Sequence, residues 1–370
     1  MAARKRTLED MVTQPTPFSE LRDAKVLITG HTGFKGAWLA LWLKQLGAKV
    51  SGFALAPEDG ETSLYNLAGV EEGLDSMIGD LRDQQAVNAA FAKCNPDIVL
   101  HLAAQSLVRR SYQQPVETYA TNVMGTVHVL EAARTAANLK ALVVVTTDKC
   151  YRNLEQHEGY QEDDAMGGAD PYSSSKGCAE LVVEAYRRSF FSTGSGALIA
   201  SARAGNVIGG GDWCEDRLVP DIAKAIANDM PVVIRNPDAI RPWQHVLEPL
   251  RGYLMLAARL MAGQREFAEG WNFGPNDDDA IPVGALAQKI ITNWGKGTLS
   301  LQPDQDAPHE AGILKLNIAK SRSKLGYHPV LDINAAIALS ADWYRAYLDD
   351  PASAALLCQG QINSYMEQIS

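Results

Sequence analysis

The sequence has no Cys-x-x-Cys pair, no apolar run near the ~18 residues that a membrane-spanning helix needs, and no internal repeat or low-complexity tract. Its five cysteines, an odd number, stand at 94, 150, 178, 214 and 358, which favours reduced thiols over a disulfide framework. The seven histidines show no ligand spacing, so no metal site is expected. Positive charge is in short supply: 34 Lys and Arg against 44 Asp and Glu leave a formal charge of −10. Nucleic acid is therefore a poor candidate partner, and no membrane partner is expected. A small anion stays within reach of local cations and helix N-termini. The opening "MAARKRTLEDMVTQPTPFSELRDAK" carries Arg4, Lys5 and Arg6 but no apolar h-region, so residues 1–24 are expected as a solvated tail, not a signal peptide. A cytoplasmic location is expected with it.

What the sequence does contain is an alternation. "KVLITG" (25–30), "AKVSGFAL" (48–55), "DSMIGDL" (75–81), "PDIVLHLAA" (96–104), "KALVVVTTD" (140–148) and "ALIASARAGNVIG" (197–209) predict six strands. Helical spacing over 36–47, 84–95, 122–136 and 171–191 falls between them. Units of about thirty residues read as βαβ repeats in a parallel sheet covered on both faces. From 206 the chain turns rich in Gly, Pro, Asp and Trp, with one more strand at 269–275 and helices at 283–295 and 333–348. The predicted plan is α/β: a doubly wound sheet domain at 25–205, a smaller lobe mainly from 206–350 with segments returning to the first domain, and a tail at 351–370.

"GHTGFKG" places Gly30, Gly33 and Gly36 between the first strand and the first helix, where backbone N–H groups can meet a pyrophosphate at the helix N-terminus. The spacing resembles the extended short-chain dehydrogenases/reductases. That resemblance implies a Rossmann fold with Thr32, Phe34 and Lys35 also at the cofactor. It implies Asp80 and Leu81 at the adenine, and Leu102, Ala103 and Ala104 along the cofactor. Asn122 is implied as an organiser of strand and water, and His101 reads as a core histidine. After the second strand, where NAD enzymes usually offer a ribose-binding carboxylate, "VSGFAL" has none nearby. Lys35 could favour a 2′-phosphate instead, so NAD is implied while NADP stays open.

"DPYSSSKGCAE" sets Tyr172 and Lys176 four apart, on one helical face. A nearby ammonium is expected to lower the phenol's pKa from about 10, making a base for a sugar hydroxyl. Thr147 could hold that oxygen in line.

The blocks "TTDKCY", "RAGNVIGGGDW", "DRLVPD", "IRNPDAIRPWQHVLEPL" and "PHEAGILKL" extend the resemblance from about 25 to 350. The set resembles the nucleotide-sugar 4,6-dehydratases, and among them the CDP-glucose 4,6-dehydratase family. The implied reaction turns CDP-D-glucose into CDP-4-dehydro-6-deoxy-D-glucose and water. Asp148 is the implied acid at C6, which requires a raised pKa. Lys149 stands where dTDP-glucose relatives carry Glu; base at C5 and stabiliser of the enolate are both open to it, and a plain Asp148–Lys149 ion pair is the bland alternative. Gln105, Asn206, Arg217, Val219, Arg235, Arg241 and His309 are implied substrate contacts, with Arg241 clamping the diphosphate. Arg217 and Arg235 also read as ordinary surface charges, and Trp213 and Trp243 as packing. An epimerase or a dehydratase of another nucleotide sugar, or a redox-sensing binder without catalysis, is the competing function. The family resemblance implies a homodimer or homotetramer.

Overall fold

The computed structural model describes residues 17–58, 62–192, 196–302 and 311–370. Strands β1 (Lys25–Thr29), β2 (Lys49–Ala54), β3 (Asp75–Ile78), β4 (Ile98–His101), β5 (Ala141–Val145), β6 (Leu198–Ala204) and a seventh at Gly270–Phe273 form one sheet. The order is seventh–β6–β5–β4–β1–β2–β3, and every pairing is parallel. Period-two alternation divides the side chains between two cores: Val26 and Ile28 enter one, and Leu27 enters the other. Both faces are therefore covered, which is why β5 and β6 are buried along their whole length. The direction of strand addition reverses between β1 and β4. Open α/β sheets take their ligands at that crevice, outside the strands' carboxyl ends.

Helices Gln84–Cys94, Gly125–Thr135 and Pro171–Phe190 cover one face, and Phe34–Gln45 and Leu247–Met261 the other. The helix Leu247–Met261, not anticipated from the sequence, belongs to the second half of the chain yet packs against β5 and β6.

Both expected tails need correction. Residues 1–16 lie outside the described part, but Phe18 and Leu21 are buried, with the Phe18 ring edge-on to Trp42 at 6.1 Å between centroids. The segment expected as a C-terminal tail forms a helix, Ala354–Gln368. It buries Ala354, Cys358, Ile362 and Tyr365, one helical stripe, and Tyr365 meets Trp42 edge-on at 5.6 Å. The first helix is thus enclosed between the sheet and the chain's end.

The expected sixth strand also breaks. β6 stops at Ala204, and Val207–Ile208 pairs instead with Gln244–His245. Gly205 makes the exit, where a Cβ would stand 2.4 Å from Pro242 Cγ and 3.0 Å from Asp148 Oδ2. Only glycine lets these segments close over each other. Among the described residues no helix is long and apolar enough to cross a membrane.

Candidate active site

The glycine turn leaves β1 with Gly30 at φ 81°, where an added Cβ would lie 2.7 Å from Ala103 N. At Gly36 a Cβ would lie 2.0 Å from Gly30 O, so the first helical turn sits directly on the turn's backbone. Gly33 differs: its Cβ would meet only Gly30 O, at 3.5 Å, which leaves open space on its cavity side. Helix Phe34–Gln45 begins there without a side-chain cap, so its first N–H groups and its positive end are available to an anion. The turn fits the pyrophosphate of a dinucleotide.

One cavity of about 1230 Å³ runs from this turn to the segment after β6. It brings together Gly30, Thr32, Gly33, Phe34, Lys35, Gly36, Asp80, Leu81, Leu102, Ala103, Ala104, Gln105, Thr147, Asp148, Lys149, Tyr172, Lys176, Asn206, Arg217, Val219, Arg235 and Arg241. His309 lies outside the described residues.

At the reactive end, all-buried β5 delivers Thr146 and Thr147 to its carboxyl terminus, and a single 3₁₀ turn, Asp148–Cys150, follows with Thr147 as its cap. Helix Pro171–Phe190 starts opposite. Asp170 caps it by accepting from Ser173 N at 2.9 Å, and Pro171 occupies the first position. The Thr147 hydroxyl donates to Asp148 Oδ1 at 3.0 Å and lies beside the Tyr172 phenol, whose pKa it draws down against burial. Phenol and carboxyl therefore meet at one hydroxyl. Asp148 is 1% exposed, and its Oδ2 is buried without a hydrogen-bond partner. Burial raises its pKa, overcoming the opposing charge of Lys149, the Thr147 bond, and the charges of Arg241 and Lys35. Because burial outweighs the lysine, a simple ion pair does not describe this carboxyl.

Two expectations about charge are corrected here. Lys176 shares the face of Tyr172, but its ammonium donates to Val145 O at 3.2 Å, and burial pushes the phenol up to about 12. Burial also lowers Lys176 to about 8. Among the groups present, desolvation outweighs every charge near the phenol. Lys35 is the second correction. The charges acting on it are those of Arg217, Asp148, Lys176 and Asp212, and burial lowers it to about 7. It belongs to the reactive end, not beside a ribose phosphate. At the other end a carboxylate does follow β2: Glu58 lines the cavity, paired with Arg110 at 3.1 Å. It stands four residues beyond the strand's last residue, outside the stretch "VSGFAL" in which no carboxylate occurs.

The remaining candidates are held by neighbours. Asp80 accepts from Arg82 Nε at 2.8 Å and from Arg82 N at 2.8 Å, which keeps its carboxyl below the usual range. The Gln105 amide donates to Leu107 O and Thr118 and accepts from Leu107 N. Its side chain shapes the loop. Asn122 holds that backbone, bonded to Gln105 N at 2.8 Å and Gln105 O at 2.9 Å. His101, bonded to Thr29 at 2.6 Å, is lowered to about 3 by burial and is a neutral core histidine. Asn206 O accepts from Gln244 N at 3.0 Å, joining the segment after β6 to the lobe. Val219 is buried in helix Leu218–Ala227. Arg217 pairs with Asp212 and Arg235 with Asp216, at 3.3 and 2.9 Å. Asp216 also reaches Arg109 of the sheet domain at 3.6 Å, a cavity-lining cation that carried no motif signal. Arg241 is buried and donates to Ile240 O at 2.9 Å. Trp213 meets Tyr344 edge-on and Tyr347 at a tilt, and Trp243 donates to Ile281 O, so both are packing residues.

Residues 27–339 match the family model of GDP-mannose 4,6 dehydratase. The chain is 49% identical to CDP-glucose 4,6-dehydratase of Salmonella typhimurium over 92% of this chain and 96% of that one. It is 24% identical to dTDP-glucose 4,6-dehydratase 1 of Escherichia coli over 93% and 98%. Among solved structures, dTDP-glucose 4,6-dehydratase from Streptomyces venezuelae, with NAD and TYD bound, superposes at TM-score 0.73 with 23% identity over 88% of this chain and 99% of that one. The Bacillus anthracis dTDP-glucose 4,6-dehydratase, in complex with NAD, does so at 0.74 with 20% identity over 88% and 97%. Both share the parallel-sheet fold. With that fold, the glycine turn and the Tyr172–Thr147–Asp148 cluster, the chain belongs to the GDP-mannose 4,6-dehydratase family of nucleotide-sugar dehydratases.

Proposed function

We propose that the protein converts CDP-D-glucose to CDP-4-dehydro-6-deoxy-D-glucose and water, with NAD as its resident cofactor. The similarity to a CDP-glucose 4,6-dehydratase supports the substrate. The single observation that carries the chemistry is the buried Asp148 carboxyl, bonded to the Thr147 hydroxyl and lining the same cavity as the Tyr172 phenol. An epimerase has no use for a buried acid beside its phenol.

The glycine turn, Leu81 and Ala103 would hold NAD, with the carboxylates of Glu58 and Asp80 lining the far end and favouring plain ribose hydroxyls over a 2′-phosphate. Bound NAD supplies a hydride acceptor for C4, a hydride donor for C6 and, when oxidised, one positive charge. The chain's own residues move the protons. Tyr172, as the phenolate that the positive charge of oxidised NAD would favour against burial, takes the proton of the C4 hydroxyl, and the resulting ketone acidifies C5–H. Lys149 in its neutral form takes the C5 proton and as an ammonium stabilises the enolate. It returns that proton to C5 at the end. Asp148, whose burial favours the acid form, gives its proton to the C6 hydroxyl, which leaves as water. One turnover leaves Tyr172 protonated as the phenol and the Asp148 carboxyl without its proton. Thr147 Oγ, bonded to the carboxyl and beside the phenol, passes the proton from Tyr172 to Asp148 and restores the starting state. Arg241 and Arg217 bind the diphosphate by paired N–H donors.

A homodimer or homotetramer in the cytoplasm belongs to the same proposal. Its support is the exposed apolar side chains Tyr112, Val116, Tyr119, Met124, Leu181 and Phe190 on the helices of one face.

The test offers CDP-, dTDP-, UDP- and GDP-glucose in turn and reads the alkali-induced absorbance of a keto sugar. CDP-glucose alone is expected to yield it, without net consumption of cofactor. A C4 epimer without keto sugar would contradict the proposal.

A further inference from the structure

Beneath the reactive end lies a buried charge cluster that the proton movements above leave without a role. Tyr172, Lys176 and Glu180 follow one another at intervals of four in helix Pro171–Phe190, so their side chains form a column on one face. The buried Glu180 carboxylate accepts three hydrogen bonds, from Thr146 Oγ1 at 2.5 Å, Ser201 Oγ at 2.7 Å and Arg203 Nη2 at 2.8 Å. Arg203, also buried, donates further to Tyr151 Oη at 2.7 Å and Glu162 O at 2.8 Å. A buried ion pair adds little net stability over a well-packed apolar pair, so stability alone does not account for it. Its location does. Thr146 immediately precedes Thr147 and Asp148, and Lys176 lies one helical turn before Glu180.

We propose that Glu180 is a positioning residue: its carboxylate keeps the Lys176 ammonium charged and holds the Thr146 end of β5 so that Thr147 and Asp148 stay aligned with Tyr172. The role rests on the function proposed above. Burial is the largest influence on Lys176 and drives it toward the neutral amine, while Glu180 is the largest influence opposing this. The other groups facing the pair come from every neighbouring element. Cys150 follows β5, Ser201 and Arg203 stand on β6, and neutral His101 ends β4. Lys35 reaches in from the glycine turn, and Tyr172 and Arg187 share the helix. With Glu180 neutral, Arg203 and Lys35 would both push Lys176 to lose its proton.

The experiment is single-turnover reduction of NAD by CDP-glucose, read by the absorbance of the reduced nicotinamide across pH, in an Asp148→Asn background. There the carboxyl of residue 148 no longer titrates, and the first hydride transfer is isolated. The rate is expected to fall at alkaline pH as the Lys176 ammonium is lost. Adding Glu180→Gln should move that fall toward acid by about one pH unit or more, a tenfold change in proton affinity. Glu180→Gln strands the Arg203 charge and endangers folding, so Glu180→Gln/Arg203→Met removes the pair together. It is expected to fold and to shift the midpoint in the same direction by less, because Arg203 no longer opposes the ammonium. A slower rate with an unmoved midpoint in the folded variant would overturn the role and leave Glu180 merely structural. No cofactor reduction in the Asp148→Asn parent at any pH would instead overturn the proposed function, and this role with it.

Discussion

Replacing Asp148 by Asn tests the acid and its environment together, because activity and stability should move in opposite directions. The substitution keeps the shape and the Oδ1 that accepts from Thr147 at 3.0 Å, and it removes the only proton that residue could donate. General acid catalysis is worth roughly 10²–10⁴-fold, so steady-state formation of keto sugar should fall by about that factor. The earlier hydride transfer does not use the Asp148 proton, so reduced cofactor should accumulate in the first turnover. Stability follows from the sign of the pKa shift. Burial places the folded-state pKa of Asp148 above that of the unfolded chain. Below the unfolded value, about 4, both states hold the proton and the group is neutral in its effect. As pH rises from there toward the folded pKa, the unfolded chain ionises first, and the native state loses stability relative to it. Asn escapes that penalty. Thermal melts should therefore show a higher Tm for the variant at neutral pH, and a difference that shrinks as pH approaches about 4. Unchanged turnover, or a lower Tm at neutral pH, would refute the placement of a protonated carboxyl at this position.

Tyr172→Phe should abolish cofactor reduction in single turnover, and reduced nicotinamide appearing at the parental rate would exclude the phenol as the C4 base. Arg241→Ala should raise KM for CDP-glucose roughly tenfold or more, as expected for losing charge-assisted hydrogen bonds, with kcat less affected; an unchanged KM counts against the clamp. Ile362→Ala, in the C-terminal helix, should lower unfolding free energy in urea by about 2–5 kcal/mol. A change near zero would mean that the helix is not part of the core around Trp42. Steady-state activity should decline as pH rises through the region of the Lys176 pKa, about 8. A rate that keeps climbing well above that pH would show that the ammonium is dispensable.

The parts legible in the sequence were those written in local pattern. All seven sheet strands came from short runs of strand character, the first six and one more at 269–275, and the Rossmann turn from three glycines in the right context. The reactive residues followed from two short motifs, "TTDK" and "YSSSK", that the fold brings together from 24 residues apart. Three-dimensional packing hid the rest. The stripe of Ala354, Cys358, Ile362 and Tyr365 has helical spacing, but its partner, Trp42, lies more than three hundred residues away. Gly205 reads as one more strand residue until Pro242 and Asp148 are seen against it. Charge was the least legible. The Tyr172–Lys176 spacing suggested a phenol of lowered pKa, yet burial, which no spacing reports, raises it to about 12. Lys35 was misplaced for a related reason: its position in the turn is local, while the end of the cavity it faces is set by Asp148, Lys176 and Arg217 from three other segments.

The central claim is that one pyranose ring meets the phenol at C4 and the carboxyl at C6 without leaving the site. The most direct measurement offers CDP-glucose deuterated at C4 and follows the label in the product by NMR. Deuterium in the C6 methyl group of a 4-keto sugar is the expected result, because the hydride removed at C4 must return at C6. Deuterium retained at C4 of an unoxidised or epimerised sugar, or lost to solvent, would contradict it.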